Sequence, residues 1–275
     1  NGHPVRARDL WTAQLAAASQ FPTGKSNSIE DVRGVGVAHA TIQRPAKGHF
    51  TGATVVWPHP KVFSFRPRAQ GYFLHGAGEL TGLAQVIEWG LLETPIVLTS
   101  SLSVGTAYEA VIDYAVQKRW GIGKTQDVIL PVVGECDDST LNRSWERPLT
   151  RAAVLKALAQ AELRSSNKRA GVIEGAVGAG TGMVSFDYKA GIGTASRVVH
   201  GHRVGVLVNS NFGFMRQLRI AGHPVGRKLD TQKAIVRKTE RSIIAVLATD
   251  APLRSEELRA LCVRAGMGFA RAGSF

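Results

Sequence analysis

Cysteine is nearly missing from this chain. Among 275 residues there are two, Cys136 and Cys262, far apart and in neither a metal-ligand nor a redox spacing. They read as structural free thiols of a reducing compartment, so the expected location is cytoplasmic. Long apolar runs are missing too. None reaches the roughly 18 residues a membrane helix needs, and no membrane partner is expected. The opening Asn1-Gly2-His3-Pro4-Val5-Arg6 lacks a signal-peptide pattern. The chain does not begin with Met, so an export signal removed beforehand would equally allow a periplasmic protein. Acidic residues are scarce beside basic ones, 21 against 34, for a net charge of +13. Such an excess would suit nucleic acid. The Lys and Arg residues are dispersed, however, and no dense basic block is interleaved with aromatics. Nucleic acid is therefore not an expected partner, and the charge serves solubility and acidic partners. No repeat or flexible linker divides the chain. Residues 1–275 read as a single α/β domain of mixed sheet, with layers covering both faces.

Glycine, by contrast, is abundant, with 30 residues. It is densest at 175–183 and recurs at 190–196, two loops that let backbone approach backbone or ligand. The run Gly76-Ala77-Gly78-Glu79-Leu80-Thr81-Gly82 leads into a helix stopped by Gly90. Its spacing matches neither a P-loop nor a dinucleotide fingerprint, so close packing is the preferred reading. Helices are also expected over 7–19, 106–116 and 149–163, and after Ser255-Glu256-Glu257. Strands are expected from Val35 onward and over 51–57, 94–99, 128–134 and 202–208.

Two of these strands deliver chemistry at their ends. The run 128–134 ends in Glu135-Cys136-Asp137-Asp138, three carboxylates in four positions. They suit a substrate amine; without histidine they make a weak metal site. No cofactor is expected. The strand at 202–208 is followed by Asn209-Ser210-Asn211-Phe212-Gly213, which reads as a turn able to present an amide to an oxyanion.

The chain is organised around Ser242. A polar run ends there, Ile243-Ile244-Ala245-Val246-Leu247-Ala248 follows without a charge, and Thr249-Asp250-Ala251-Pro252 closes it. That pattern predicts a fully buried strand entered at a serine. Cleavage of the preceding peptide bond would give this serine a free amine able to act as its base.

Six stretches taken together, 28–39, 76–106, 131–142, 178–196, 204–213 and 242–253, resemble the L-aminopeptidase/D-amidase-esterases and β-peptidyl aminopeptidases, in that family's order and over nearly the whole chain. The resemblance implies an αββα sandwich shared with ornithine acetyltransferases. It implies self-cleavage between Arg241 and Ser242, giving 1–241 and 242–275. It makes Ser242 the N-terminal nucleophile, Asn211 the oxyanion donor and Glu135 the carboxylate that binds the substrate's ammonium. The implied substrates are small peptides, amides or esters with a free N-terminus, and the implied assembly is a homo-oligomer of processed chains. Three features differ from the family pattern. Asp137 stands where a tyrosine is frequent, and Arg241 stands where a small residue is usual. The chain also ends soon after Ala272-Gly273-Ser274, where the family continues with a Ser-and-acid motif, so it is expected to lack that C-terminal segment. These differences frame the alternative: an unprocessed relative that keeps the fold as a non-catalytic binding or regulatory protein.

Overall fold

The computed structural model describes residues 20–118, 121–167, 171–229, 235 and 242–273. The helix expected over 7–19 and the residue Arg241 lie outside them.

The first sheet is built from β1 (Gly36–Arg44), β2 (His49–Trp57), β3 (Ile96–Thr99) and β4 (Val132–Glu135), in that spatial order. β1, β2 and β3 are antiparallel neighbours, and β3 and β4 are parallel. A parallel pair needs a crossover, and α2 (Val104–Gln117) lies within it, after α1 (Leu83–Trp89). α3 (Arg151–Ser166) follows β4, its first turn capped by Thr150, whose hydroxyl accepts from the Ala153 amide at 3.3 Å.

Period-two alternation explains why the central strands read as unbroken apolar runs. Val55 and Val97 face α2 and α3, together with Trp57, Val111 and Leu158. Their neighbours Val56 and Leu98 face the other way, against a second sheet. Both faces are covered, so both alternate sets are mainly apolar, and buried Thr54 and Thr99 have hydrogen-bonded hydroxyls. Trp57 is fully buried and meets Phe63 and Tyr114 edge-on, each at 5.8 Å between ring centres. Each such pair adds about 0.5–1.5 kcal/mol beyond its buried area. Glu30, fully buried, forms a two-pronged pair with Arg164 at 2.8 and 2.6 Å and accepts from the Val37 amide at 2.8 Å. Removing one partner of such a pair costs about 3–5 kcal/mol.

The second sheet runs β7 (Ile192–Val199), β8 (His202–Asn211), β9 (Ser242–Thr249), all antiparallel. Ile192, Leu207 and Val246 pack on Val37, Val56 and Leu98 of the first sheet. The layers are thus helix, sheet and sheet, and α4 (Ser255–Ala272) touches β9 beyond them. This is the α/β sandwich expected from the sequence. A short hairpin, β5 (Val184–Ser185) and β6 (Tyr188–Lys189), precedes β7.

Several expectations are corrected. The strand expected over 128–134 is confined to β4. Upstream of it and at its first residue the chain bonds to side chains: the Leu130 amide donates to the Glu93 carboxylate at 3.0 Å and the Val132 amide to the Thr94 hydroxyl at 3.2 Å. Residues 192–199, which overlap the 190–196 stretch read as a glycine loop, are a full edge strand. β8 does not stop at Val208 but continues through Asn211. β9 is not fully buried: only Val246 is, because β8 pairs with one of its edges and the first sheet covers one face.

Candidate active site

The ends of β4, β8 and β9 converge. β8 and β9 pair in a register that sets Asn211 opposite Ser242. Asn211 is 3 % exposed, and its amide is spoken for on both sides. Its Oδ1 accepts from the Val184 amide at 3.0 Å, while its Nδ2 donates to the Asp137 carbonyl at 2.8 Å and to Ser242 Oγ at 3.3 Å. A backbone donor on one side and a backbone acceptor on the other fix which end of the amide faces the serine. The hairpin carrying Val184 is tied to β8 by Ser185, whose hydroxyl meets that of Ser210 at 2.5 Å and accepts from the Phe212 amide at 3.2 Å.

β4 brings Glu135 to the same end. In the parallel pair Thr99 stands beside Glu135, so the turn after β3 falls next to the carboxylate. Ser101 in that turn donates a very short hydrogen bond to Glu135 Oε2. The glycine-rich run closes the other side: the Glu79 amide donates to Glu135 Oε1 at 3.1 Å, and the Glu135 amide donates to the Glu79 carbonyl at 3.2 Å. A side chain at Gly78 would begin 2.6 Å from Oε1. Gly78 therefore serves close packing against a carboxylate. A carboxylate offers about four acceptor sites, so two donors leave room for an ammonium.

The three clustered acids do not act together. Glu135 takes Ser101 and the Glu79 amide. Asp137 turns its carboxylate to the Ser139 amide and hydroxyl at 2.8 and 3.0 Å. Asp138 is buried and accepts from Ser100 and Asn142 at 2.9 and 3.0 Å. Burial raises the Asp138 carboxyl above its usual range, against the pull of those donors. Among the described residues, no three His, Cys, Asp or Glu side chains gather as a metal-holding group.

Cys136 is fully buried between these acids, with its thiol on the Asn209 carbonyl at 3.8 Å and close to the Ser242 hydroxyl. Burial pushes the thiol up to about 12, with Glu135 and Asp137 reinforcing the shift and the Ser242 hydroxyl opposing it. Both cysteines are free thiols.

The structure thus brings Ser242 and Asn211 into contact, while Glu135 shares β4's end with Asp137, whose carbonyl holds Asn211. Sequence reasoning missed Ser101, the Val184 amide and the contact of Cys136 with Ser242. Only Ser101 had a local signal: it follows the C-terminal end of a strand in an α/β sheet, where sites gather.

Residues 27–275 match the family model of peptidase family S58. The β-peptidyl aminopeptidase BapA of Sphingosinicella xenopeptidilytica is 35% identical over 297 residues, covering 98% of this chain and 70% of the relative. Among solved structures, a Burkholderia sp. β-aminopeptidase superposes with a TM-score of 0.85 at 37% identity, over 98% of this chain and 73% of its own. The L-aminopeptidase D-ala-esterase/amidase of Ochrobactrum anthropi, a variant of the Ntn hydrolase fold, gives 0.82 at 36% identity, over 98% of this chain and 74% of its own.

Proposed function

Because the chain belongs to peptidase family S58, we propose that it is a self-processing serine aminopeptidase or amidase, releasing N-terminal residues from small peptides, amides or esters. The names of its relatives, β-peptidyl aminopeptidase and L-aminopeptidase D-ala-esterase/amidase, support that class. The observation that carries the assignment of roles is the approach of Asn211 Nδ2 to Ser242 Oγ at 3.3 Å.

In this reading the bond between Arg241 and Ser242 is cut and Ser242 becomes an N-terminus. Its α-amine, with an ordinary pKa near 8, takes the hydroxyl proton near neutrality. Oγ then bonds to the substrate carbonyl carbon, and the carbonyl oxygen gains the charge. Asn211 donates to that oxygen. Its amide plane is already oriented by Val184 and Asp137, and the N–H now facing Ser242 Oγ passes to the carbonyl oxygen as charge develops. The leaving amine departs with the proton, and water hydrolyses the resulting ester on Ser242. Glu135 pairs with the substrate's ammonium and so selects chain ends over internal bonds. Asp137 supports this scheme better than its charge suggests, since its carboxylate is turned to Ser139 and its carbonyl steadies Asn211.

The test compares an amino-acid amide with its N-acetylated analogue, using wild type and Ser242→Ala. Wild type should hydrolyse the free amine form and largely spare the acetylated one, and Ser242→Ala should hydrolyse neither. Equal turnover of both substrates by wild type would remove the aminopeptidase reading.

A further inference from the structure

The buried thiol beside the serine is not used by the scheme above, and its placement is dictated by strand geometry. Gly134 lies against β9: a side chain there would begin 2.7 Å from Ile244 Cδ1. Side chains repeat on one face every second residue. Cys136 is two residues past Gly134, and its amide still bonds to the Thr99 carbonyl at 3.1 Å, so the pleat continues. Ser242 is two residues before Ile244 on β9. The same two faces therefore bring Cys136 toward Ser242: the thiol reaches the Asn209 carbonyl at 3.8 Å, and Asn209 precedes by two residues the Asn211 that pairs with Ser242.

We propose that Cys136 is a positioning residue for Ser242: its thiol donates to the Asn209 carbonyl, and its sulfur accepts from the Ser242 hydroxyl, holding that hydroxyl in one rotamer beneath Asn211. The inference rests on Ser242 being the nucleophile. A serine side chain has three staggered wells to choose among. The Asn211 contact, at 3.3 Å, is long for a hydrogen bond and holds the oxygen loosely. A second partner selects one well. Sulfur suits this role because it is a weak acceptor. It orients the hydroxyl without competing strongly for the proton that a base must remove. A buried neutral thiol also stays out of the chemistry itself, since the thiolate is the reactive form.

The experiment uses the full chain and three substitutions at one position. Cys136→Ala and Cys136→Ser are matched in volume and differ in hydrogen bonding. Cys136→Val fills the site without a hydrogen bond and replaces the Ala variant if that one does not fold. kcat and KM are measured on an amino-acid amide, with Tm recorded for each protein and Ser242→Ala as control. The Ala or Val variant should lose about tenfold in kcat, the scale of one modest hydrogen bond, with KM nearly unchanged. Cys136→Ser should recover most of that loss, which a packing role would not predict. If the Ala variant keeps the wild-type kcat, or if Ser is as slow as Ala, the thiol only fills space and the inference fails. If Ser242→Ala stays active, the nucleophile assignment itself is wrong. An inactive Ser242→Ala beside a normal Cys136→Ala overturns only the role of Cys136.

Discussion

Asn211 and Ser242 are cross-strand partners, and the amide nitrogen of one stands 3.3 Å from the hydroxyl oxygen of the other. The pairing is set by the β8–β9 register, so neither residue depends on a loop for its position. If Asn211 donates to the developing oxyanion, Asn211→Ala should lower kcat by about 10²–10³, the scale of one lost oxyanion donor. KM should change far less, because the donor acts chiefly in the transition state. Asn211 also holds Val184 and Asp137, so each variant needs a melting curve beside its kinetics. A folded Asn211→Ala protein with unchanged kcat would exclude the role.

The amine of Ser242 can serve as base only once the bond to Arg241 is broken. A denaturing mass measurement of active protein should therefore show two chains, the smaller beginning Ser-Ile-Ile-Ala. Ser242→Ala should give one intact chain, because no hydroxyl is left to attack the Arg241 carbonyl. Full activity from a preparation shown to be uncut would refute self-processing as the route to the active form.

Much of this was legible in the sequence. Ser242 stands out because an uncharged apolar run begins directly after it, and Glu135 because it ends another such run. Asn211 was legible as the oxyanion donor of the resembled family, but its place was misread: Asn-Ser-Asn has turn chemistry, yet pairing with β9 keeps it in a strand. β7 was hidden for a similar reason. Gly193, Ala195 and Ser196 blur the alternation, and only Ile192 and Ser196 of its eight residues are buried. Ser101 and Cys136 gain their partners through contacts 34 and more than 100 residues away in sequence, which no local pattern encodes. β9 read as fully buried because its composition resembles that of β2, whereas β2 has strands on both sides and β9 pairs with β8 alone among the described residues.

Ser101 offers a test of the ammonium anchor that leaves the carboxylate charge in place. Its hydroxyl and the Glu79 amide fix the two oxygens of Glu135. Ser101→Ala frees one oxygen, so the carboxylate keeps its charge and loses its aim. kcat/KM for an amino-acid amide should fall by about tenfold, within the range for a hydrogen bond to a charged group. Glu135→Gln should cost more, because it removes the charge itself. Gly78→Ala should also impair the free-amine substrate, since the added methyl crowds Oε1. All three should leave residual turnover of the N-acetylated analogue unchanged. A uniform loss on both substrates would show that Glu135 supports the fold and does not bind the amine.

His39 predicts how stability falls in acid, away from the site. It sits in β1, its Nδ1 2.9 Å from the Thr54 hydroxyl. Burial lowers its pKa to about 4, with nearby Arg164 adding to the effect and a backbone hydrogen bond at Ile173 opposing it. In the unfolded chain the same ring titrates near 6.5. Between these two values the unfolded state binds a proton that the native state refuses, so protonation favours unfolding. The contribution of His39 is therefore complete above about pH 6.5 and is lost as pH falls toward about 4. The slope from one such group approaches 1.4 kcal/mol per pH unit, roughly the energy of one pKa unit. His39→Gln keeps a polar group facing Thr54 and cannot take up the proton. Urea midpoints at pH 7, 5.5 and 4.5 should fall more steeply for wild type than for the variant, and the curves should converge toward the acid end. Parallel curves would mean that the acid sensitivity arises elsewhere and that His39 is solvated enough to titrate normally.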